Sequence, residues 1–309
     1  MMEAPTEALS PREFERPPQG AGRRFQPFVL WLVPILGLLF VFSVLPIFGS
    51  FFLSFFDYEM LQPLKFVGLG NFIYAFTQDT VFPKTVLNTV YFAFVSVPIS
   101  MAISLVVAQF IFGRRHFQSG WRTIYFLPVV TPVIAITIVW RFILQPSRFG
   151  FLNAILGNFG IPPQPWIGSQ VWVIPSLILV SVWSGLGYNM VLFLAGLGGI
   201  PYSFYEAAKI DGANEWNMFW KITLPMLSPT ILFTTVTGSI SALQIFSIPY
   251  VMTRGGPENA SRMIVMWIQE TGFSQFRMGY AASLAVLFFL FTLALTFIQL
   301  RALRTQWSY

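Results

Sequence analysis

Residues 86–111 read VLNTVYFAFVSVPISMAISLVVAQFI and lie in a stretch without Asp, Glu, Lys or Arg that extends from Lys84 to Arg114. A helix needs roughly 20 mostly apolar residues to cross the hydrocarbon core of a bilayer. Lipid is a more natural surrounding than water for a run of this length and composition. The stretch therefore predicts a transmembrane helix over residues 86–111.

The same signal recurs along the whole chain of 309 residues. Of these residues 55% are hydrophobic and only 10% are charged, whereas a soluble domain carries about 25% charged residues. Each long stretch without Asp, Glu, Lys or Arg has room for one membrane-crossing helix. The predicted fold class is therefore all-α, a polytopic membrane protein with six transmembrane helices over residues 28–50, 86–111, 123–144, 171–197, 226–250 and 279–300.

The Lys and Arg residues of the connections predict the orientation, because cytoplasmic loops of membrane proteins are enriched in them. With the N-terminus inside, the cytoplasmic segments hold 11 of the 18 Lys and Arg residues and the outer segments hold 7. Both termini are therefore predicted to be cytoplasmic. The net charge of +6 follows from this topology and does not indicate nucleic-acid binding.

The two ends of the chain differ in composition from the membrane domain predicted over residues 25–305. Residues 1–24 are rich in Pro, Glu and Arg and predict a disordered cytoplasmic N-terminus. Residues 306–309 are predicted to form a cytoplasmic tail. The outer connections, residues 51–85, 145–170 and 251–278, are predicted to form short helices at the membrane interface.

The titratable residues exclude several kinds of chemistry. His116, the single histidine, lies in a predicted cytoplasmic loop and cysteine is absent, so neither a zinc site nor a Ser-His hydrolase is expected. Proton-coupled carriers place acidic or basic side chains inside the membrane, and the predicted spans hold no Asp, Glu, Lys, Arg or His apart from Arg141, which lies close to the end of the third span. Sodium coupling through backbone carbonyls, and thus a stand-alone carrier or channel, stays open as the alternative to an energy source on another polypeptide.

The most polar inner connection is residues 198–225, GGIPYSFYEAAKIDGANEWNMFWKITLP. Ser203 and Glu206 have the spacing of a capping box, which predicts a helix that starts at Ser203. Gly212 is expected to end this helix. A second short helix is predicted from Glu215 to Ile222. The two helices would lie on the cytoplasmic face with a sharp turn between them.

The residues of this connection carry a resemblance to a known family. The string Glu206-Ala207-Ala208, the later Gly212 and the final Ile222-x-Leu224-Pro225 resemble the EAA loop of permease subunits of bacterial ATP-binding-cassette importers. The resemblance implies a coupling helix that docks in a cleft of an ATPase subunit, with Glu206 either paired with a basic residue there or serving only its own helix. The residues assigned to ATPase coupling are Glu206, Ala207, Ala208, Asp211, Gly212, Ile222, Leu224 and Pro225.

Further stretches are similar to the sugar-importer branch of that family. They are EAAKIDGA in the loop, FVGLGNF at 66–72, LNTVYF at 87–92, FLP at 126–128 with the later Trp140, and GGP at 255–257. The likeness covers about residues 25–305 and is strongest to the maltose/glycerol-phosphate type of first permease subunit. It implies a type I importer fold. The large periplasmic insert of the enteric maltose permease is absent, so contacts that depend on such an insert are not expected.

The resemblance also implies partners and an energy source. We expect a second permease subunit, two ATP-binding-cassette ATPase subunits, an extracytoplasmic solute-binding protein and the surrounding membrane lipid. The resemblance favours a heterodimer, in which the second permease subunit is a different chain. No cofactor is expected on this chain, since ATP and Mg²⁺ would belong to the ATPase subunits. The chain itself would catalyse no covalent reaction, and its location would be the inner membrane of a prokaryote.

Helical spacing indicates the substrate path. Polar or small residues fall on one face of the fourth span and on one face of the fifth. Packing between helices is the competing explanation for the serines and glycines, while a tyrosine or glutamine side chain suits a sugar better. The substrate-binding candidates are Ser181, Ser184, Gly185 and Tyr188 in the fourth span, and Gly238, Ser241 and Gln244, with Thr234 and Thr237, in the fifth.

The absence of charge in the spans, apart from Arg141 close to the end of the third, predicts a neutral solute. A mono-, di- or oligosaccharide is the preferred substrate class, and a polyol or glycerol phosphate remains an alternative. The segment Trp183-x-Gly185-x-x-Tyr188 also resembles the maltose-type permease, where the glycine and tyrosine line the sugar site.

Overall fold

The computed structural model describes residues 28–60, 62–113 and 118–303. The expected disordered segment 1–24, the tail 306–309 and His116 lie outside these residues. The chain divides into two compact units, which meet between Gly49 and Ser50.

The described residues of the first unit belong to one apolar helical segment, which continues past the boundary to Leu53. It begins with α1, Phe28–Leu39, passes through a π-helical turn, Phe40–Val44, and continues as α2, Leu45–Leu53. Pro46 has no N–H to donate to a carbonyl of the preceding turn, and the π-helical turn lies directly before it. Leu32–Leu53 is long and apolar enough to cross a membrane, which confirms a spanning helix close to the predicted residues 28–50.

The second unit is a bundle of long helices with short elements at its ends. A two-stranded antiparallel ribbon, β1 Phe56–Asp57 and β2 Lys65–Phe66, was not predicted. The α-helices are α3 Gly70–Thr77, α4 Val81–Phe112, α5 Gln118–Val130, α6 Val133–Ile143, α7 Phe151–Gly157, α8 Val173–Gly198, α9 Tyr202–Ile210, α10 Glu215–Met218, α11 Leu224–Met226, α12 Ser228–Leu243, α13 Ser247–Thr253, α14 Ile264–Gln269 and α15 Met278–Ala302.

Three predicted spans of this unit are single long helices. The spans 86–111, 171–197 and 279–300 correspond to α4, α8 and α15, with ends within five residues of the prediction. The helix α4 packs most extensively against α8, and α12 and α5 flank this pair. Buried side chains along the α4–α8 seam include Phe92, Met190 and Phe193.

The third predicted span, 123–144, is wrong as a single helix. The structure breaks it into α5 and α6, which meet at an angle of 93°. Pro132 stands before α6 with an extended ψ of 128°, and a proline disfavours helical backbone at the residue before it. The pair can still count as one bent span, which brings the described part of the chain to five or six membrane-crossing segments.

The fifth predicted span, 226–250, is also interrupted. The helix α12 ends at Leu243, residues 244–246 are not helical, and α13 starts at Ser247. Pro249 thereby falls in the first turn of α13, where its missing N–H would have no intrahelical acceptor. Ser228–Thr253 as a whole is nevertheless long and apolar enough to cross a membrane, which confirms a spanning segment close to the predicted residues.

Short helices do occupy the outer connections, at α3, α7 and α14. Buried side chains hold these connections to the long helices. The carboxylate of Asp79 accepts hydrogen bonds from the backbone N–H groups of Val81 and Phe82, from Trp267 Nε1 and from Tyr280 Oη. This carboxylate therefore joins the start of α4 to α14 and α15.

Candidate translocation cavity and coupling loop

A cavity of about 390 Å³ lies between α4, α8 and α12. Its walls carry hydroxyl, amide and small apolar groups, and no charged residue is among its 15 lining residues. The lining residues are Ser96, Val97, Ser100 and Met101 of α4, Ser181, Val182, Gly185, Tyr188 and Asn189 of α8, Thr234, Thr237, Gly238, Ser241 and Ala242 of α12, and Ile245 of the break.

The polar groups of the cavity differ in whether they already have a hydrogen-bond partner within the chain. Asn189 Nδ2 donates to Ser100 Oγ at 3.1 Å, so these two side chains form a fixed polar pair across α4 and α8. Thr237 Oγ1 donates to the backbone carbonyl of Phe233 within its own helix. The hydroxyls of Ser181 and Ser241 have no hydrogen-bond partner in the described part of the chain, and they are therefore available to a polar solute.

Tyr188 combines an apolar ring with a polar end at the cavity wall. Its side chain is 50% exposed, and Gly185 stands one turn before it on the same face of α8. A Cβ built on Gly185 would meet no atom within 4 Å, so the glycine leaves open space beside the ring. A tyrosine in such a position can stack on a sugar face and exchange a hydrogen bond through its hydroxyl.

The structure gathers most of the predicted path residues around this cavity. Ser181, Gly185 and Tyr188 line it from α8, and Thr234, Thr237, Gly238 and Ser241 line it from α12. These residues therefore lie on inward faces of their helices, as predicted. Their role in binding a substrate stays a prediction.

Two predicted residues do not belong to this surface. Ser184 Oγ donates to the backbone carbonyl of Ser181 at 3.0 Å and is absent from the cavity wall. Gln244 caps the C-terminus of α12, and the break at this point carries its side chain to a groove with Val265 and Phe288 on the other side of the helix. The expectation that Ser184 and Gln244 share the cavity surface is thus corrected.

Three polar cavity residues were not predicted from the sequence. Ser96 and Ser100 are four residues apart and share one face of α4, and Asn189 directly follows Tyr188. The serine pair was a detectable signal, of the same type as the serine row in α8. The pairing of Asn189 with Ser100 joins residues 89 positions apart and was visible only in three dimensions.

The predicted coupling loop, residues 198–225, begins where α8 ends. The helix α9 ends in a left-handed turn at Gly212, whose φ is +76°. The N–H of Gly212 donates to Lys209 and that of Ala213 to Ala208, the two bonds of a Schellman motif. Asn214 then caps α10 by accepting from the N–H of Asn217 at 2.8 Å. The predicted sharp turn at Gly212 is therefore present.

The predicted capping box is not formed. The helix α9 begins at Tyr202, and Pro201 precedes it with a φ of −59° and without a side-chain cap. Because the proline starts the helix one residue early, Ser203 is already inside it and cannot cap it. The second predicted helix, 215–222, is α-helical only to Met218 and becomes a π-helix over Phe219–Thr223.

The EAA residues present an accessible face. Glu206, Ala207, Asp211 and Gly212 are exposed and Ala208 is half-buried. Ile222 and Leu224 are half-buried and Pro225 is exposed. The second half of the loop is tied to the first by a bond of 2.9 Å between the hydroxyls of Tyr205 and Thr223, two residues that the motif does not include. The loop is therefore a braced, partly exposed unit.

Metal ligation has no basis in the described residues, among which no group of three His, Cys, Asp or Glu side chains could hold an ion. The candidate site therefore has two parts. One is an uncharged polar cavity within the bundle, and the other is a helical loop at one end of the bundle.

Residues 82–304 match the model of the family described as binding-protein-dependent transport system inner membrane component. The match covers most of the chain, including the cavity and the loop. The chain belongs to this family of transport subunits, and it is an inner-membrane component with several membrane-crossing helices.

Similar proteins are found among curated sequences and solved structures. The chain is 36% identical to the lactose transport system permease protein LacF of Rhizobium radiobacter, over 90% of this chain and 94% of that one. It is 34% identical to the probable ABC transporter permease protein YurN of Bacillus subtilis, over 89% of this chain and 95% of that one. A bacterial alginate ABC transporter, solved in complex with an alginate pentasaccharide-bound periplasmic protein, has a chain with a TM-score of 0.80, 21% identity and coverage of 91% of this chain and 95% of that one. This likeness shows the type I importer-like fold.

Proposed function

We propose that the chain is a permease subunit of an ATP-driven importer and that it carries a neutral sugar through the cavity between α4, α8 and α12. The observation that carries the sugar assignment is the chemistry of the cavity wall, where eight of the 15 lining residues bear a hydroxyl or amide and none is charged. Sugars are recognised by hydroxyl and amide groups together with an aromatic face. Tyr188 supplies that face.

A phosphorylated or acidic solute is less well matched to this cavity, since an anion would require Arg or Lys at the wall. LacF is described as a lactose permease, and lactose is a neutral disaccharide. We therefore favour a neutral mono-, di- or oligosaccharide over glycerol phosphate. A polyol would also fit the uncharged wall, and competition between unlabelled solutes would distinguish the two.

The proposed assembly has a second permease subunit, two ATPase subunits and an extracytoplasmic solute-binding protein. The family description, with its dependence on a binding protein, supports the last of these. The exposed EAA face of α9 would dock on an ATPase subunit, and ATP and Mg²⁺ would be bound there. Both termini would be cytoplasmic, because this places the coupling loop on the side where ATP is available.

Transport would then follow from motion passed through the loop. The hydrogen bond between Tyr205 and Thr223 ties α9 to the π-helical segment that leads through α11 into α12. Closure of the ATPase subunits would displace the coupling loop and tilt α8 and α12, the helices that carry two walls of the cavity. The cavity would thereby open alternately to the two sides of the membrane.

The test is ATP-dependent uptake of radiolabelled sugar into proteoliposomes that hold the complete importer. We expect Tyr188→Ala to lower uptake at least tenfold because the stacking face is lost. Tyr91→Ala is the matched control, since Tyr91 is a similarly exposed tyrosine of α4 that does not line the cavity. It should transport as the unmodified chain does.

Two outcomes would contradict the proposal at different points. Equal uptake by the Tyr188 and Tyr91 variants would exclude the cavity as the sugar path. Uptake by this chain alone, without ATP or the ATPase subunits, would exclude the importer subunit and favour the stand-alone carrier.

A further inference from the structure

A second polar concavity lies at the end of the bundle opposite the coupling loop. This outer cleft has a volume of about 540 Å³ and is formed by the end of α6, the turn at Trp166–Gly168, the end of α13 and the following Gly-Gly-Pro segment. The coupling loop follows the last residue of α8, while the cleft adjoins the turn before its first residue. A helix of 26 residues is about 39 Å long, so the two sites lie at opposite ends.

Arg141 is the charged residue of the outer cleft. It is exposed, and the bond that its Nη1 donates is a long one of 3.5 Å to the backbone carbonyl of Val251. The salt bridge found within the described residues joins Arg262 to Glu270 and does not involve Arg141. The guanidinium therefore faces the cleft with most of its donors unused.

Two further arginines stand beside the lining residues of the cleft. Arg148 lies two residues after Pro146, and Arg254 directly follows Thr253. Both are exposed and neither has a carboxylate within 4 Å in the described part of the chain. Arg254 also has a left-handed backbone, with a φ of +51°, at a position where glycine or asparagine is usual.

The other cations at this end of the bundle are mostly engaged within the chain. Arg262 pairs with Glu270 and stacks on Trp267. Arg277 lies over the rings of Tyr74 and Tyr280. Positive charge on the outer side also runs against the usual bias of membrane proteins. The unpaired arginines are thus concentrated at one cleft, which suggests that they serve a partner.

We propose that the outer cleft receives carboxylate side chains of the solute-binding protein, with Arg141 as their main partner and Arg148 and Arg254 at the rim. The proposal rests on the proposed function, because it requires an importer that a binding protein serves. The cleft faces the side from which solute arrives, and a guanidinium binds a carboxylate through two parallel hydrogen bonds. Charged groups at such a rim chiefly increase the association rate and its dependence on salt.

The test uses the complete importer in nanodiscs and its own solute-binding protein, purified separately and loaded with sugar. The measured quantity is the binding-protein concentration that gives half of the maximal stimulation of ATP hydrolysis. We expect Arg141→Glu to raise this concentration at least tenfold and Arg141→Gln to raise it less. Raising the salt concentration from about 50 to about 300 mM should raise the half-maximal concentration strongly for the unmodified importer and only slightly for Arg141→Glu. ATP hydrolysis without binding protein should not change.

Lys65→Glu is the matched control, since Lys65 is an exposed cation of β2 at the same end and does not line the cleft. It should leave the half-maximal concentration unchanged. The proposal is overturned if Arg141→Glu behaves like Lys65→Glu. It is also overturned if Arg141→Glu alters only the response to phosphatidylglycerol content, which would make an anionic lipid the occupant. Hydrolysis that never responds to binding protein, in any variant, would instead contradict the proposed function.

Discussion

At the scale of single residues, the carboxylate of Asp79 joins more helices than its own part of the chain would require. It is 9% exposed and accepts four hydrogen bonds from α4, α14 and α15. Removing a buried acceptor leaves its donors unsatisfied at a cost of about 1–3 kcal/mol for each buried group. The free energy of unfolding should therefore fall by roughly 3 kcal/mol in Asp79→Ala.

Thermal unfolding in nanodiscs, followed by tryptophan fluorescence, measures this effect. A loss of that size lowers Tm by about 5–10 °C in a chain of this length. Asp57→Ala is the control, because Asp57 is exposed and its carboxylate has no hydrogen bond in the described residues. An unchanged Tm in Asp79→Ala would show that the four bonds contribute nothing net to stability.

Sequence reasoning at this scale succeeded for most residues of the unbroken helix α8, with Ser184 as the exception. Tyr188 and Ser181 were placed correctly because α8 keeps its period from Val173 to Gly198. Gln244 was misplaced because helical spacing was extended across a position where the helix stops. The engagement of Asp79 could not be predicted, since its side-chain partners lie 188 and 201 residues further along the chain.

At the scale of secondary structure, the turn at Gly212 determines how α9 is presented to a partner. Proline fixes φ near −65° and has no N–H, whereas Gly212 has a φ of +76° and donates to Lys209. We expect Gly212→Pro to reduce ATP-dependent uptake at least tenfold while insertion in the membrane is retained. Asparagine tolerates left-handed backbone, so Gly212→Asn should retain most of the uptake.

Uptake in proteoliposomes and protease resistance of the inserted chain are the two measurements. Full uptake in Gly212→Pro would contradict a coupling role for the turn. An equal loss in Gly212→Pro and Gly212→Asn would show that the glycine serves close packing rather than backbone conformation.

Helix boundaries were the least predictable feature at this scale. Prolines 98 and 128 lie inside continuous helices, whereas Pro132 separates two. The difference depends on whether neighbouring helices satisfy the freed carbonyls, and this is a property of the packing. The capping box failed for a similar reason, because Pro201 and Ser203 were both acceptable as a helix start.

At the scale of the whole molecule, composition and motif spacing were sufficient for the class of protein. Long charge-free windows have few structural solutions, since each backbone polar group in lipid must be satisfied within a helix. The family match and the type I importer-like fold agree with this prediction. The cavity between α4, α8 and α12 required tertiary structure, because its walls come from three separate segments of the chain, residues 96–101, 181–189 and 234–245.

The orientation of the bundle is open to direct measurement because the chain has no cysteine, so single cysteines can be added to the unmodified sequence. Ser119 is exposed at the start of α5, on the predicted cytoplasmic side, and Phe149 is 88% exposed on the predicted outer side. A membrane-impermeant maleimide should label Phe149→Cys but not Ser119→Cys in intact cells. Inside-out vesicles should give the reverse. The opposite pattern would place the coupling loop away from ATP, and a cytoplasmic ATPase could then not act through it.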